Sequence, residues 1–185
     1  MSRISAIFVV AILLSCCAGQ RSFYLLSADG PLPSAGGMGI GVGPVVLAEY
    51  LDRPNLVLQD APHRLAVAED HRWAGSLEAS IARVTAANLG RRLGTGNVRV
   101  YPWTGDDGIA RQVSLDIRQF HGGADGFAVL EAGWRVYQLP EGRLVASRAF
   151  TAREELRADG YDELVAAQSR LLSRLAAEIA QSMGP

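Results

Sequence analysis

The sequence predicts a single α+β domain: a largely antiparallel β-sheet, with a mixed sheet as the alternative, and two main helices packed on one of its faces. Three observations carry this prediction. Two segments repeat apolar residues at helical spacing, and two others alternate apolar and polar residues as strands do. Hydrophobic residues make up 49% of the 185 residues and charged ones 20%, which is ordinary for a globular protein with a sizeable core.

In the first half of the chain, short apolar stretches separated by Gly and Pro predict strands and one helix. Glycines alternate with apolar residues from Gly39 to Gly43, which predicts a strand whose second face is packed closely by other backbone. Gly94 is typical of a helix end. The predicted elements are strands at 21–26 and 39–51, a loop at 28–37, a hairpin of 55–59 and 63–69, a helix at 73–93 and a strand at 97–103.

The second half predicts longer strands and a final helix. Apolar and polar residues alternate in 112–120, which indicates one buried and one solvated face. The sequence Pro-Glu-Gly at 140–142 predicts a tight turn, and Asp159 or Asp162 is predicted to cap the last helix. The predicted elements are strands at 112–120, 127–139 and 143–152 and a helix that ends near Met183.

The first 15 residues have the features of an export signal. Arg3 supplies a positive charge, and Ile4 to Leu14 supply an apolar run that is followed directly by small residues. This run is shorter than the ~20 apolar residues that a membrane-spanning helix needs, and its order matches a secretory signal. The alternative is a strand or helix that packs into the core. We expect residues 1–15 to be removed on export.

The two cysteines of the chain, Cys16 and Cys17, are adjacent at the end of this run. A disulfide between them is disfavoured, because neighbouring Cα atoms lie about 3.8 Å apart and a bridge wants roughly 4.4–6.8 Å. The residues before Cys16 resemble a bacterial lipobox, in which the cysteine receives a diacylglycerol thioether. Cys16 fits this motif better than Cys17, which stays the alternative. This predicts a signal peptide at 1–15, a lipidated tether at 16–21 and a domain at 22–185.

The residue types restrict the chemistry of the domain. All 18 basic residues are arginine, so a lysine Schiff base and a P-loop lysine are excluded. A net charge of −1 offers no basic excess for nucleic acid. His63, Asp70 and His71 are close in sequence but lack metal-ligand spacing, and the glycines of 36–43 lack dinucleotide-fingerprint spacing. We predict no metal, no cofactor and no enzymatic activity.

Several segments of the chain carry a family resemblance. They are Phe23-Tyr24-Leu25-Leu26, Gly41 to Val45, Tyr50-Leu51-Asp52-Arg53-Pro54, Arg72-Trp73-Ala74, the central strands around Phe120 and Trp134, and the last helix. In this order they resemble the ABC-type transport auxiliary lipoproteins over essentially the whole mature chain. Ala48, where the family often has proline, and Leu58-Gln59, where it often has a polar or basic residue, depart from the pattern.

The resemblance implies a lipoprotein on the periplasmic face of the outer membrane of a Gram-negative bacterium. It would partner an inner-membrane ABC transporter and an MCE-domain protein, and together they would move lipids or other apolar molecules between membranes. Its role would be docking rather than ATP hydrolysis, so its sites would be surfaces. The candidate surface consists of Tyr50, Leu51, Asp52 and Arg53, together with Trp103 in a loop rich in Gly and Asp.

Other interpretations of these residues stay open. In a purely structural alternative, Tyr50 fills the core, Asp52 pairs locally with Arg53, and Trp103 packs in the core or at an edge. The alternative function is a lipid-tethered periplasmic binding module for a small ligand or an envelope polymer, and a third is a lipid-tethered enzyme with a hidden catalytic cluster. A homo-oligomer also stays open.

Overall fold

The computed structural model describes residues 20–33, 35–103 and 108–183; the predicted signal peptide and both cysteines lie outside these ranges. Eight strands, two α-helices and one turn of 3-10 helix make up the described part. The elements are β1 (Ser22–Tyr24), β2 (Gly39–Leu47), the 3-10 turn (Glu49–Leu51), β3 (Asn55–Ala61), β4 (Arg64–Trp73), α1 (Leu77–Leu93), β5 (Val98–Val100), β6 (Ile109–Gly123), β7 (Phe127–Gln138), β8 (Arg143–Glu155) and α2 (Tyr161–Ser182).

All eight strands belong to one sheet that is built around the long strand β6. One edge of β6 pairs along most of its length with β7, which in turn pairs with β8. The other edge pairs first with β2 and then with β3. β5 pairs with the outer edge of β2. β4 pairs with β3, and β1 pairs with β4, so β1 and β8 stand at opposite ends of the sheet.

The predicted α+β class and the two helices on one face of the sheet are confirmed, and the sheet is of the mixed type. Four of the seven strand pairings among the described residues are parallel, although the two longest ladders, β6–β7 and β7–β8, are antiparallel. The parallel pairings of β2 with β5 and with β6 arise because α1 carries the chain back across the sheet. As a result, β5 and β6 start from the same end as β2.

The first helix begins four residues later than the sequence predicts. Trp73 matches the apolar spacing of the helix, but its amide donates to the carbonyl of Pro54 at 2.7 Å and the residue closes β4. The helix then starts at Leu77, because the Ser76 hydroxyl accepts a hydrogen bond from the amide of Ala79 as an N-cap. The predicted end at Gly94 is confirmed by its left-handed φ of 64°.

The second helix begins after a glycine rather than an aspartate cap. Gly160 is the N-cap with φ 110°, and no side chain caps this end, so the predicted roles of Asp159 and Asp162 as caps were wrong. Acidic residues in the first turn still suit the positive end of the helix dipole. The Arg170 guanidinium links this end of the helix to β8, because it lies 2.7 Å from the carboxylate of Glu163 and 2.8 Å from that of Glu154 in β8. Its hydrogen bond holds the pKa of Glu163 below the ordinary value.

The core lies between the sheet and the helical layer. α1 packs on β2 and β5, α2 packs on β7 and β8, and the two helices also contact each other. Val113, Leu115 and Ile117 of β6 point into this core, whereas Asp116 and Arg118 are exposed, which confirms the predicted alternation. The side of the sheet opposite the helices is therefore solvated. We call it the open face.

Candidate docking face

The segment Tyr50 to Pro54 follows β2 directly, and the structure places its residues in different environments. Leu51 is 1% exposed and anchors the 3-10 turn in the core. Tyr50 is half-buried, and its hydroxyl donates to the carbonyl oxygen of Arg118 at 3.0 Å. Asp52 and Arg53 are exposed and, within the ranges that the structure describes, form no ion pair with each other. A partner can therefore reach Asp52, Arg53 and the rim of Tyr50, but not Leu51.

Burial also affects the chemistry of the Tyr50 hydroxyl. Desolvation raises the pKa of Tyr50 above its ordinary value, and the nearby carboxylate of Glu131 acts in the same direction. The hydroxyl therefore stays protonated at physiological pH and acts as a hydrogen-bond donor. Its bond to the backbone of β6 fixes the turn after β2 against the central strand.

The alternating glycines of β2 accommodate the chain that follows β5. A Cβ atom on Gly41 would lie 2.7 Å from the indole ring of Trp103, and one on Gly43 would lie 2.4 Å from Cβ of Tyr101. A Cβ on Gly39 would lie 2.0 Å from the carbonyl oxygen of Gly108. The close packing predicted for this face is confirmed, and it involves aromatic side chains as well as backbone.

Trp103 is consequently half-buried, and its ring lies over Gly41. It meets the ring of the exposed Tyr101 edge to face at a centroid distance of 5.4 Å. In contrast, Trp73 and Trp134 are core residues. Trp103 thus combines a packing role with a partly accessible aromatic surface.

Trp103 and the Tyr50 segment do not form one cluster. They lie toward opposite ends of β2, because Gly41 and Leu47 are six residues apart, or ~20 Å along a strand. Between them, β2 presents Pro44 and Val46 to solvent. The two candidate regions therefore bracket the middle of the open face rather than sharing a single site.

A shallow groove of about 800 Å³ occupies this middle region, between β2 and β8. We call it the groove. Its lining includes Pro44, Val46, Gln112, Ser114, Asp116, Arg118, Gly133, Arg135, Tyr137, Ser147 and Ala149.

The groove has a charged floor. The guanidinium of Arg118 lies 3.1 Å from the carboxylate of Glu131 and 3.8 Å from that of Asp116. A Cβ on Gly133 would lie 3.2 Å from Nη2 of Arg118, so the glycine lets this arginine lie flat on β7. Arg135 of the same strand is exposed. The groove therefore offers arginine donors on an open surface rather than inside an enclosed cavity.

The histidines near Asp70, for which the sequence predicts no metal site, lie in different environments. His63 occupies the β3–β4 turn with φ 66°. Nδ1 of His71 forms a hydrogen bond with the Tyr24 hydroxyl at 2.6 Å. The His71 ring stacks on the Tyr161 ring with a centroid distance of 3.7 Å. Among the residues described, no three His, Cys, Asp or Glu side chains come close enough to hold a metal ion. Neither α1 nor α2, the helices of the described ranges, has the length and apolarity required to cross a membrane.

Comparison with known proteins identifies the family. The family model for the ABC-type transport auxiliary lipoprotein component matches residues 24–180. The chain belongs to this family. The ABC-type transport auxiliary lipoproteins are transport components rather than enzymes, and the resemblance inferred from the sequence motifs is confirmed.

Individual relatives of this family member support the assignment. The intermembrane transport lipoprotein PqiC of Escherichia coli (strain K12) is 26% identical over 178 residues, which covers 92% of this chain and 91% of the relative. A crystal structure of an uncharacterized protein is 25% identical, with a TM-score of 0.74 and coverage of 89% of this chain and 99% of that one. Protein XCC0632 from Xanthomonas campestris shares the fold, with 17% identity, a TM-score of 0.67 and coverage of 85% and 92%.

Proposed function

We propose that the protein is an outer-membrane-anchored periplasmic lipoprotein that acts as the docking component of an MCE–ABC-type intermembrane lipid transport system. The observation that carries this proposal is the family match over residues 24–180, which includes nearly the whole described fold. The name of its relative PqiC, an intermembrane transport lipoprotein, supports the intermembrane role. Lipidation at Cys16 would hold the domain at the membrane, with Cys17 as the alternative site.

The open face is the surface that we assign to docking. Exposed Arg135 and the apolar side chain of Val46 both line its groove, with Trp103 toward one end and Asp52 and Arg53 toward the other. Aromatic and arginine side chains are enriched in protein interfaces. An MCE-domain protein that carries acidic side chains opposite Arg135 would fit this surface.

A binding module is the second candidate, because the volume of the groove falls within the roughly 300–1,000 Å³ typical of small-molecule sites. However, such sites usually enclose most of the surface of their ligand. Here Asp116, Arg118 and Arg135 are exposed, and the groove opens along the sheet surface. These features favour a protein partner over a small apolar ligand.

Co-purification from the native host tests this proposal. The full-length lipoprotein, tagged at its C-terminus and extracted from membranes in mild detergent, should bring with it an MCE-domain protein and an ABC permease, identified by mass spectrometry. Arg135→Glu should reduce their recovery, because it reverses a charge at the centre of the open face. Arg83→Glu is the matched control, since Arg83 is an exposed arginine of α1 on the helical side.

Two results would count against docking. Recovery of neither protein with the unmodified chain would contradict the proposed role. A small molecule retained by the purified domain and lost in Arg135→Glu, without either protein partner, would favour the binding module instead.

A further inference from the structure

Two large apolar side chains are exposed at the very start of the described fold. Phe23 is 63% exposed and Leu25 is 68% exposed. They alternate with Tyr24, whose hydroxyl lies 2.6 Å from Nδ1 of His71, and with Leu26, which is buried in the core. Because alternate residues of an extended chain point to opposite sides, Phe23 and Leu25 are held outward together. We call this pair the apolar prong.

The prong is firmly attached to the fold. β1 pairs in parallel with the last residues of β4, where Phe23 is the partner of Arg72. The amide of Ser27 then donates to the hydroxyl of Ser169 in α2 at 3.1 Å. Fixed backbone on both sides means that the two side chains form a defined surface feature and not part of a loose tail.

Two arginines flank the prong at β1, while Asp162 of α2 lines the shallow hollow beside Phe23 and Leu25. Arg21 is exposed directly before β1, and Arg72 lies beside Phe23 across the β1–β4 ladder. The Nε atom of Arg72 is buried and lacks a hydrogen-bond partner among the described residues. Apolar side chains flanked by arginines match the two layers of a membrane interface, where acyl chains lie below anionic phosphates.

The length of the tether limits how far the prong can be from the membrane. Phe23 is the seventh residue after Cys16, and a chain spans at most ~3.6 Å per residue, so the prong lies within ~25 Å of the acylated cysteine. By comparison, β8 lies five strand positions from β1, or ~24 Å further across the sheet. The β1 edge is therefore the edge of the sheet that the tether brings closest to the bilayer.

We propose that Phe23 and Leu25 insert into the phospholipid bilayer to which the chain is tethered, with Arg21 and Arg72 at the level of the phosphates. The inference rests on the lipidation that we propose for the mature chain. The acyl anchor and the prong together make two attachment points, which fix the orientation of the domain. The β1 edge faces the membrane, and β8 stands at the far edge of the sheet, away from it.

Spin-label accessibility in vesicles tests this placement. The acylated full-length lipoprotein, carrying Cys17→Ser, receives a single new cysteine by Phe23→Cys, Leu25→Cys or, as the matched control, Leu144→Cys. Leu144 is an equally apolar residue of β8 that is 51% exposed. Each variant is labelled with a nitroxide and reconstituted into vesicles of phosphatidylethanolamine and phosphatidylglycerol.

The expected result is that labels at 23 and 25 collide with oxygen dissolved in the lipid and lose their collisions with a water-soluble nickel complex. The label at 144 should show the opposite preference. Equal nickel accessibility at all three positions, in a protein whose mass confirms the acyl chains, would overturn the prong while leaving the anchor intact. Absence of acyl chains both from the Cys17→Ser variant and from the chain with its two native cysteines would overturn the anchor and, with it, this inference.

Discussion

Replacing Cys16 by serine is expected to abolish acylation, so that no acyl chain anchors the protein. The thioether requires a thiolate nucleophile, and a serine hydroxyl does not ionise at physiological pH as a thiol can. Each buried CH₂ of an acyl chain contributes about 0.8 kcal/mol, so a multi-chain anchor is effectively permanent and its loss is not offset by two exposed side chains. The variant should also accumulate as a precursor that retains residues 1–15.

The measurement is metabolic labelling with a radioactive or clickable fatty acid, combined with the intact mass of the protein. Cys17→Ser is the matched control and should retain both the label and membrane attachment, because Cys17 is the neighbouring cysteine of the same motif. If Cys16→Ser remains labelled and Cys17→Ser does not, the attachment site is Cys17.

Trp134→Ala is expected to cause the largest loss of stability among the substitutions considered. Trp134 is 1% exposed at the centre of β7, and its Nε1 donates to the Glu178 carboxylate of α2 at 3.1 Å. Removal of a buried Trp side chain typically costs about 3–5 kcal/mol, because the cavity is only partly refilled. The loss also leaves the Glu178 carboxylate without this donor at the sheet–helix boundary.

Urea unfolding followed by circular dichroism measures this effect as a change in the free energy of unfolding. Trp134→Phe separates the two contributions, because it keeps most of the packing and loses the hydrogen bond, and it should cost less than the alanine variant. Trp103→Ala should also cost less, since Trp103 is only half-buried. A loss below about 1 kcal/mol for Trp134→Ala would contradict the role of Trp134 as a core anchor.

Local patterns in the sequence were sufficient to predict most elements. The alternation around Val113 reports directly on which side chains are buried, and Gly94 marks a helix end through its left-handed backbone. The start of the first helix was mispredicted because Trp73 lies four residues before Leu77, at helical spacing. The acceptor of its amide, the carbonyl of Pro54, is a tertiary contact that no local periodicity contains.

The candidate site depends on strand order, which the sequence does not display. β2 and β6 are separated by two strands, a helix and a further strand, yet they lie side by side and form the floor of the groove with β7. The glycines of β2 indicated close packing, but not that Trp103 covers Gly41. Likewise, the sequence does not predict why residue 133 is glycine. The reason is a tertiary contact, since the Arg118 side chain lies across Gly133.

Site-specific photocrosslinking in living cells tests the docking role most directly. A benzophenone amino acid is introduced at position 135 in the groove, at position 103 beside it and, as a control, at position 83 on α1. We predict an adduct between an MCE-domain protein and the chain at positions 135 and 103 and none at position 83. Adducts with that protein at position 83 but not at 135, or no adduct from the open face at native expression, would contradict docking through this surface.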